Sequence, residues 1–510
     1  MSNTMPYKGI YAMHKYWGKK PFNEISKFIE QYTKPGEIVL DSFCGSGVTL
    51  IEALRSGRKC IGADINPIAI KLSKASMTPV DVDEVNKTFK KIKTNLQKKI
   101  NSLYEVDEDG KTTLVTHTIW KFGEPIEVWY ATDQCRKKIR VGRDIDKIMS
   151  EHPSIKAKWY PTTKMFENSR INVGHGQTVD DLFTQRALVG LSLILEEIYK
   201  IDNADIKDIF ELTLTGTLSQ ASNLVFVIRR RKKNEGTKPK AEVGSWVIGY
   251  WVPEEHFEIN VWNCFENRFK RIQKGVVEIN GIFSDRAKDY YDKNVILLNE
   301  TATKLPLDDH SVDYVFIDPP HANRIPYMEQ SLMWNAWLQL DGSIDWDNEI
   351  IVSEAKGRRG KNAENYNMLL GDAFSEIKRL LKHGKHFSMA FNCLDDNTWI
   401  DTLNLFIKHG FRLESIVPLE YSATSVIQDN RKNALKTDFV LTFMNTGTES
   451  LPPIVFRNDT TILEKKISEI TKEHKDFEVY NVMNLLFEQT IPHGYIFKVS
   501  QIVKICSEMM

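Results

Sequence analysis

The strongest chemical signal in the chain is Asp318-Pro319-Pro320-His321, which follows directly on the apolar run Val312-Asp313-Tyr314-Val315-Phe316-Ile317. Proline fixes φ and cannot donate a backbone hydrogen bond. A turn built on two prolines at the end of a buried strand holds the Asp318 carboxylate and the Pro319 carbonyl rigidly outward. Both groups are acceptors, and two acceptors in a fixed fork match the two hydrogens of an –NH2 group. Accepting those hydrogens moves electron density onto nitrogen and orients its lone pair for in-line attack on an electrophilic carbon. The main contribution is positioning and desolvation. No strong base is needed first, because the amine becomes acidic as its new bond forms. Tyr327 lies a short loop away and offers a face on which a planar ring could stack; packing with Met328, Leu332 and Trp337 is its other reading.

A second constellation lies near the N-terminus. The run Glu37-Ile38-Val39-Leu40-Asp41 leads into Ser42-Phe43-Cys44-Gly45-Ser46-Gly47-Val48-Thr49, and Asp64 ends the next apolar run. Glycines in such a turn let the backbone approach a ligand closely. A carboxylate about 20 residues on can accept ribose hydroxyls. The spacing G-x-G lacks a third glycine, so a pyrophosphate cradle is poorly supported. Asp41 suits a positively charged ligand end. A nicotinamide site and a ligand-free structural turn are the competing readings.

These residues need elements to position them. Residues 37–41, the glycine turn, a helix over Leu50–Ser56 and a strand over Lys59–Asp64 form a βαβ unit, which implies a parallel sheet. That rhythm stops at a lysine-rich helix over 81–104. From 105 to 290 the pattern is mixed and aromatic-rich, with a helix expected over Asp180–Tyr199. It resumes at Asn294–Leu298, Ser311–Asp318, His386–Asn392, Phe411–Leu419 and Asp438–Met444, with a helix over Tyr366–Leu381. The set of about seven strands predicts an α/β domain. Its first part spans 1–80, an insertion 81–290, its second part 291–449, and a helical tail 450–510. The tail is expected to hold helices around Tyr480–Glu488 and Val499–Met509.

Composition narrows the class. The 68 basic and 68 acidic residues cancel, and mean hydropathy is −0.35. Neutrality excludes a globally basic binder but not a charged face. No apolar run approaches the ~20 residues of a membrane span, and the first residues lack a signal-peptide pattern, so a cytoplasmic location is expected. The six cysteines, among them Cys135, stand apart from one another, which argues against a disulfide framework or a zinc site.

With these residues in place, the chain resembles the S-adenosylmethionine-dependent DNA amino-methyltransferases. DSFCGSGVT is similar to their cofactor motif, and VDYVFIDPPH to their catalytic D-P-P-Y motif. The segment His14-Lys15-Tyr16-Trp17-Gly18-Lys19-Lys20-Pro21 resembles the K-Y-W-x-K-K-P stretch of a subgroup. The resemblance covers roughly residues 10–80 and 290–445. It implies a Rossmann-like, mostly parallel seven-stranded sheet whose last strand is antiparallel. It implies S-adenosylmethionine contacts from Lys15, Tyr16, Trp17 and Asp41, from the turn residues Phe43, Gly45, Gly47 and Thr49, from Asp64 and Asn66, and from Asp318. The loop after the third strand would hold adenine, with Thr301 and Ala302 where a carboxylate is usual. His321 stands where the family usually has Tyr. The order of motifs resembles the arrangement in which the insertion recognises the target sequence, except that the insertion here precedes the third strand.

The resemblance implies methylation of adenine-N6 in double-stranded DNA, in a restriction-modification or phage-defence setting with a nuclease or defence subunits as partners. The alternatives are a cytosine-N4 target, an RNA base, and a catalytically silent DNA-binding subunit. Chemistry on a duplex base requires flipping it out, so phosphate contacts are needed. The candidates are Arg229, Arg230, Arg231 and Lys232, with Lys238 and Lys240 beyond them; Arg358, Arg359 and Lys361; and Arg431 with Asn430 and Lys432.

Overall fold

The computed structural model describes residues 8–108, 111–131, 138–140, 155–230, 240–246, 249–283, 287–321, 325–391, 396–419, 438–448, 451–473 and 479–509. The first two strands, β1 (Ile38–Asp41) and β2 (Lys59–Ala63), flank the helix Val48–Arg55. Between β2 and the next strand of the same sheet lie β3 (Glu105–Glu108), β4 (Lys111–Lys121), β5 (Glu124–Tyr130), β6 (Lys138–Arg140), β7 (Val225–Arg230), β8 (Lys240–Trp246) and β9 (Glu255–Ile259). The first sheet then resumes with β10 (Val295–Leu298), β11 (Val312–Ile317), β12 (Leu381–Phe391), β13 (Phe411–Pro418) and β14 (Phe439–Asn445).

The main sheet has seven strands in the order β10-β2-β1-β11-β12-β14-β13. All are parallel except β14, which runs antiparallel to both of its neighbours. The expected mostly parallel sheet with its last strand reversed is therefore present. Strand β11 is buried at every position, as a central parallel strand covered on both faces must be. Strand order reverses between β1 and β11, and ligands of open α/β sheets bind in the crevice at such a switch point. Leu40 is registered against Val315, so Asp41 and Asp318 leave adjacent strand ends on the same edge.

One face of the sheet is covered by the helices Phe22–Tyr32, Val48–Arg55 and Pro67–Met77, and the helices Val82–Asn101, Gln185–Tyr199, Ala204–Ala221 and Val261–Phe283 pack as a further layer on that side. Their side chains share one core with the sheet: Val39, Leu50 and Leu72 belong to the same cluster as Phe89, Leu191, Phe210, Trp262 and Trp334. The other face packs on Ala363–Leu380 and Asp396–Lys408, and on the C-terminal helices Thr460–Glu473, Val479–Thr490 and Val499–Met509. Trp399 lies fully buried there beside Phe439 and Phe487.

Some expected boundaries move. The lysine-rich helix starts at Val82 because Asp81 caps it, accepting from the amides of Asp83 and Glu84. The helix expected from Asp180 begins at Gln185, capped by the Thr184 hydroxyl, with a short 3-10 turn over Asp180–Leu182 before it. The tail carries a helix over Thr460–Glu473 in addition to the two expected ones. Strands β3 to β9 form a second sheet, antiparallel throughout, in a region read from sequence as mixed. Among the described residues no helix is long and apolar enough to cross a membrane, and no group of three His, Cys, Asp or Glu is arranged to hold a metal.

Candidate active site

A cavity open to solvent lies at the switch point. The N-terminal segment contributes Tyr16, Trp17, Lys19 and Lys20 to its walls; the glycine turn contributes Asp41, Phe43, Gly45 and Thr49. Asp64 and Asn66 come from the end of β2, Thr301 and Ala302 from the loop after β10, and Asp318, Pro320 and Tyr327 from the segment after β11. These expected residues are brought together from five separate stretches of chain.

The turn after β1 is shaped by its own hydrogen bonds. Asp41 Oδ1 accepts from the Phe43 amide at 3.0 Å, and Asp64 Oδ2 accepts from the Gly45 amide at 2.9 Å. The other Asp64 oxygen accepts from the Asn66 amide at 2.9 Å. Asn66 is locked in turn, its amide nitrogen donating to Ser331 at 2.8 Å while its oxygen accepts from Asn335 at 3.0 Å. Gly45 has φ +51, and a Cβ there would lie 2.9 Å from the Tyr16 ring. That position needs glycine twice over, for its left-handed backbone and for the ring laid against it.

Burial raises the Asp41 carboxyl to about 7, reinforced by the nearby charges of Asp318 and Asp64 and opposed by the Thr49 hydroxyl and the Phe43 amide. Burial likewise raises Asp64 to about 6, against the hydrogen bonds from Asn66 and Gly45. Among the described residues neither carboxylate forms an ion pair within 4.0 Å. A cationic ligand would relieve both. Lys19 is pushed down to about 7 by burial, and its ammonium donates to the carbonyls of Tyr11 and His14 at 2.9 and 2.8 Å.

The turn Asp318-Pro319-Pro320-His321 is held from two sides. The Tyr366 hydroxyl donates to the Pro320 carbonyl at 2.7 Å. The Lys20 ammonium lies 2.8 Å from Asp318 Oδ2 and 3.2 Å from Asp438 Oδ2. Asp318 Oδ1 is buried without a hydrogen-bond partner, and so is His321 Nε2, 3.6 Å away. Tyr327 stacks on Tyr16 with ring centres 5.9 Å apart, and Trp17 stacks on Trp334 at 4.8 Å. Gly18, at φ +73, sits under the Tyr327 hydroxyl, which a Cβ would meet at 2.7 Å.

Several expected residues stand elsewhere. Lys15 turns away from the cavity and places its ammonium 4.3 Å from the centre of the Trp246 ring, a cation–π contact. Gly47 caps the helix Val48–Arg55 rather than lining the wall. Pro319 is buried within the turn, His321 flanks Asp318, and neither is among the residues lining the cavity. Arg358 is not a surface cation: it is buried, with Glu349 Oε2 at 2.5 Å and Glu329 Oε1 at 3.5 Å. Lys361 is buried as well, donating to the carbonyls of Asp347 and Glu349. Charges so deeply committed cannot be spent on phosphate, which corrects that expectation for both; the neighbouring Arg359 is exposed. Arg229 is paired with Glu255 and lies 3.7 Å from Glu127. Arg230 and Lys240 are registered opposite each other in β7 and β8. Arg231, Lys232, Lys238, Asn430, Arg431, Lys432 and Cys135 lie outside the described residues.

Sequence reasoning missed Glu349, which lines the cavity from the segment after Trp337, and the roles of Lys20, Tyr366 and Asp438. The only advance signal was that Lys20 belongs to the quoted N-terminal segment. Its partners are remote in sequence.

Residues 2–75 match the family described as DNA methylase. The DNA adenine methyltransferase YhdJ of Escherichia coli strain K12 is 36% identical over 105 residues, 19% of this chain and 35% of that protein. The type II methyltransferase M.MjaII of Methanocaldococcus jannaschii is 29% identical over 80 residues, 16% of this chain and 15% of its own length. The chain thus spans well under half the length of these curated relatives. Among solved structures, the 16S rRNA (adenine(1408)-N(1))-methyltransferase from Catenulisporales acidiphilia matches at 11% identity and a TM-score of 0.19, covering 36% of this chain and 74% of that one. A DNA methylase takes its methyl group from S-adenosylmethionine, and the donor set fits that molecule. The buried, cation-free carboxylates Asp41 and Asp64 suit its positive charge, and the rings of Tyr16, Trp17 and Phe43 suit its apolar parts. On residues 2–75, which carry the N-terminal segment, the glycine turn and Asp64, the chain is similar to the DNA methyltransferases.

Proposed function

We propose that the protein methylates the exocyclic amino group of adenine in double-stranded DNA, using S-adenosylmethionine. The observation that carries this reading is that the glycine turn and the Asp318 turn open into one cavity, with Asp41 and Asp318 on adjacent strand ends. DNA as the substrate is supported by the family matched at residues 2–75 and by the relatives' names. Adenine is supported by the name of one relative and by Asp rather than Ser before the two prolines. The type II methyltransferases among the relatives support a setting beside a restriction nuclease.

Tyr16, Trp17, Asp41, Phe43, Gly45, Thr49, Asp64, Asn66, Thr301 and Ala302 would hold the cofactor. When bound, S-adenosylmethionine supplies an electrophilic methyl carbon. Asp318 Oδ1, the unpartnered buried acceptor, takes one hydrogen of the target amine, and the Pro319 carbonyl takes the other. Fixing both hydrogens aims the nitrogen lone pair. As the N–C bond forms, the methyl–sulfur bond would break with its electron pair going to sulfur, S-adenosylhomocysteine would leave, and Asp318 Oδ1 would receive the proton that nitrogen loses. Tyr327 offers the face on which the flipped base stacks, and His321 lies beside Asp318. The inserted residues 81–290 would read the target sequence, and Arg359 with Arg230, Arg231 and Lys232 would engage phosphate.

The test is transfer of labelled methyl groups to unmethylated genomic DNA, followed by digestion to nucleosides. Label in N6-methyladenine is the expected result; label in N4-methylcytosine, in RNA alone, or nowhere despite cofactor binding overturns it. Asp318→Ala should lower transfer at least about 100-fold while the cofactor Kd stays within about threefold.

A further inference from the structure

The two adjacent lysines of the N-terminal segment do different work. Lys19 is turned back into its own segment, where its ammonium donates to the carbonyls of Tyr11 and His14. Lys20 reaches the other way, into the cavity, and lies between two carboxylates. One is Asp318, at the end of β11. The other is Asp438, which leads into β14 and whose carbonyl accepts from the Leu419 amide at 2.8 Å, so the closed ends of β13 and β14 fix it in place. Lys20 is 9% exposed and the Asp438 side chain 10%, whereas the Asp318 side chain, at the cavity wall, keeps 22% of its surface.

The geometry has a chemical consequence. A carboxylate on a strand end can rotate and present either oxygen. Here Oδ2 is held at 2.8 Å by the ammonium, while Oδ1 is buried with no hydrogen-bond partner. A lysine held by Asp318 alone could follow it; a lysine anchored by Asp438 as well cannot. We propose that Lys20 is a positioning residue that locks Asp318 so that Oδ1 alone faces the target amine, with Asp438 as the anchor that makes the lock rigid. Because Lys20 follows Tyr16 and Trp17 in the cavity wall, the lock also ties the amine acceptor to the segment that lines the cofactor's space. This rests on the amine-methylation reading of the site.

The test compares wild type, Lys20→Met, Lys20→Arg, Asp438→Asn and the double variant Lys20→Met/Asp438→Asn. The substrate is unmethylated genomic DNA with labelled S-adenosylmethionine, and cofactor Kd is measured on each protein by calorimetry. No transfer by the wild type would sink the methylation reading itself and is thereby distinct from a failure of the lock. With wild type active, Lys20→Met should lower kcat by about 100-fold, the scale of a small misplacement of a reacting group, with cofactor Kd within about threefold. Lys20→Arg, which keeps the cation, should recover about a tenth or more of wild-type kcat. Asp438→Asn should lower kcat by about tenfold, yet add nothing to Lys20→Met, because both act through one contact. Unchanged kcat in Lys20→Met, a matching loss of cofactor binding, or additive losses in the double variant would each overturn the proposal. Should Lys20→Met fail to fold, the Lys20→Arg and Asp438→Asn proteins still decide it: wild-type kcat in Asp438→Asn refutes the anchor.

Discussion

At the scale of single residues, the cavity stores its specificity as unpaired negative charge. Asp41 and Asp64 hold their protons up to about pH 7 and about pH 6 because burial disfavours the charged form. S-adenosylmethionine carries a net positive charge and favours the ionised carboxylates. Its affinity should therefore rise between pH 5 and pH 8, and below pH 7 binding should release protons, which calorimetry in buffers of different ionisation heat measures directly. The ligand-free protein should behave in the opposite sense. A carboxyl whose pKa is raised on folding binds its proton more tightly in the native state, so stability falls as pH rises from the unfolded value toward the folded one. Thermal melts without ligand should thus drop between about pH 4 and pH 7, and Asp41→Asn should flatten the upper part of that fall. Gly18→Ala is the matching steric test. It forces a Cβ into a left-handed backbone and against the Tyr327 hydroxyl, so it should cost more than about 1 kcal/mol and weaken methyl transfer by moving Tyr327.

At the scale of elements, the segment 344–361 is organised by a buried cation. Arg358 neutralises Glu329 on the helix Tyr327–Trp337 and Glu349 in the cavity wall. Removing one member of a buried pair leaves an uncompensated charge, so Arg358→Met should destabilise by about 3–5 kcal/mol, whereas Arg359→Ala should stay within about 0.5 kcal/mol. Urea denaturation of the two variants checks both. The contrast also marks where sequence reading stops. Strands β1, β2, β10, β11 and β14 were readable because each is a mainly apolar run bounded by turn residues, β13 was readable from its alternation, and β12 was readable only from His386 because its first half, residues 381–385, is mainly polar; the glycine turn and Asp-Pro-Pro-His announced the two halves of the site. Two adjacent arginines in a glycine-rich loop look alike, however, and only tertiary packing sends Arg358 inward. The second sheet escaped for another reason. Register shifts between Val115 and His117 and between Ile119 and Trp120 break the period-two pattern by which β4 would be recognised. Lys20, Glu349 and Tyr366 were hidden because their partners come from different stretches of chain.

At the scale of the whole molecule, the insertion and the sheet share a core. Phe89, Leu191, Phe210 and Trp262 pack in the same cluster as Val39 and Leu50. A chain spliced to lack residues 81–290 should therefore fail to fold, and its soluble fraction and calorimetric transition would reveal it; a soluble, cooperatively melting product would show that the sheet's core is self-sufficient. The tail is equally integral. Trp399→Ala, which opens a void between the sheet and Phe487, should cost about 3–5 kcal/mol. The placement of β10 beside β2 matters for biosynthesis as well. Two neighbours in one sheet are separated by roughly 230 residues, so at typical elongation rates β2 leaves the ribosome tens of seconds before β10 exists. Through that interval β2 is a bare outer strand able to pair with foreign strands. The nascent protein has its Asp64 before it has the Thr301 wall opposite, so cofactor cannot help it fold until the insertion is complete.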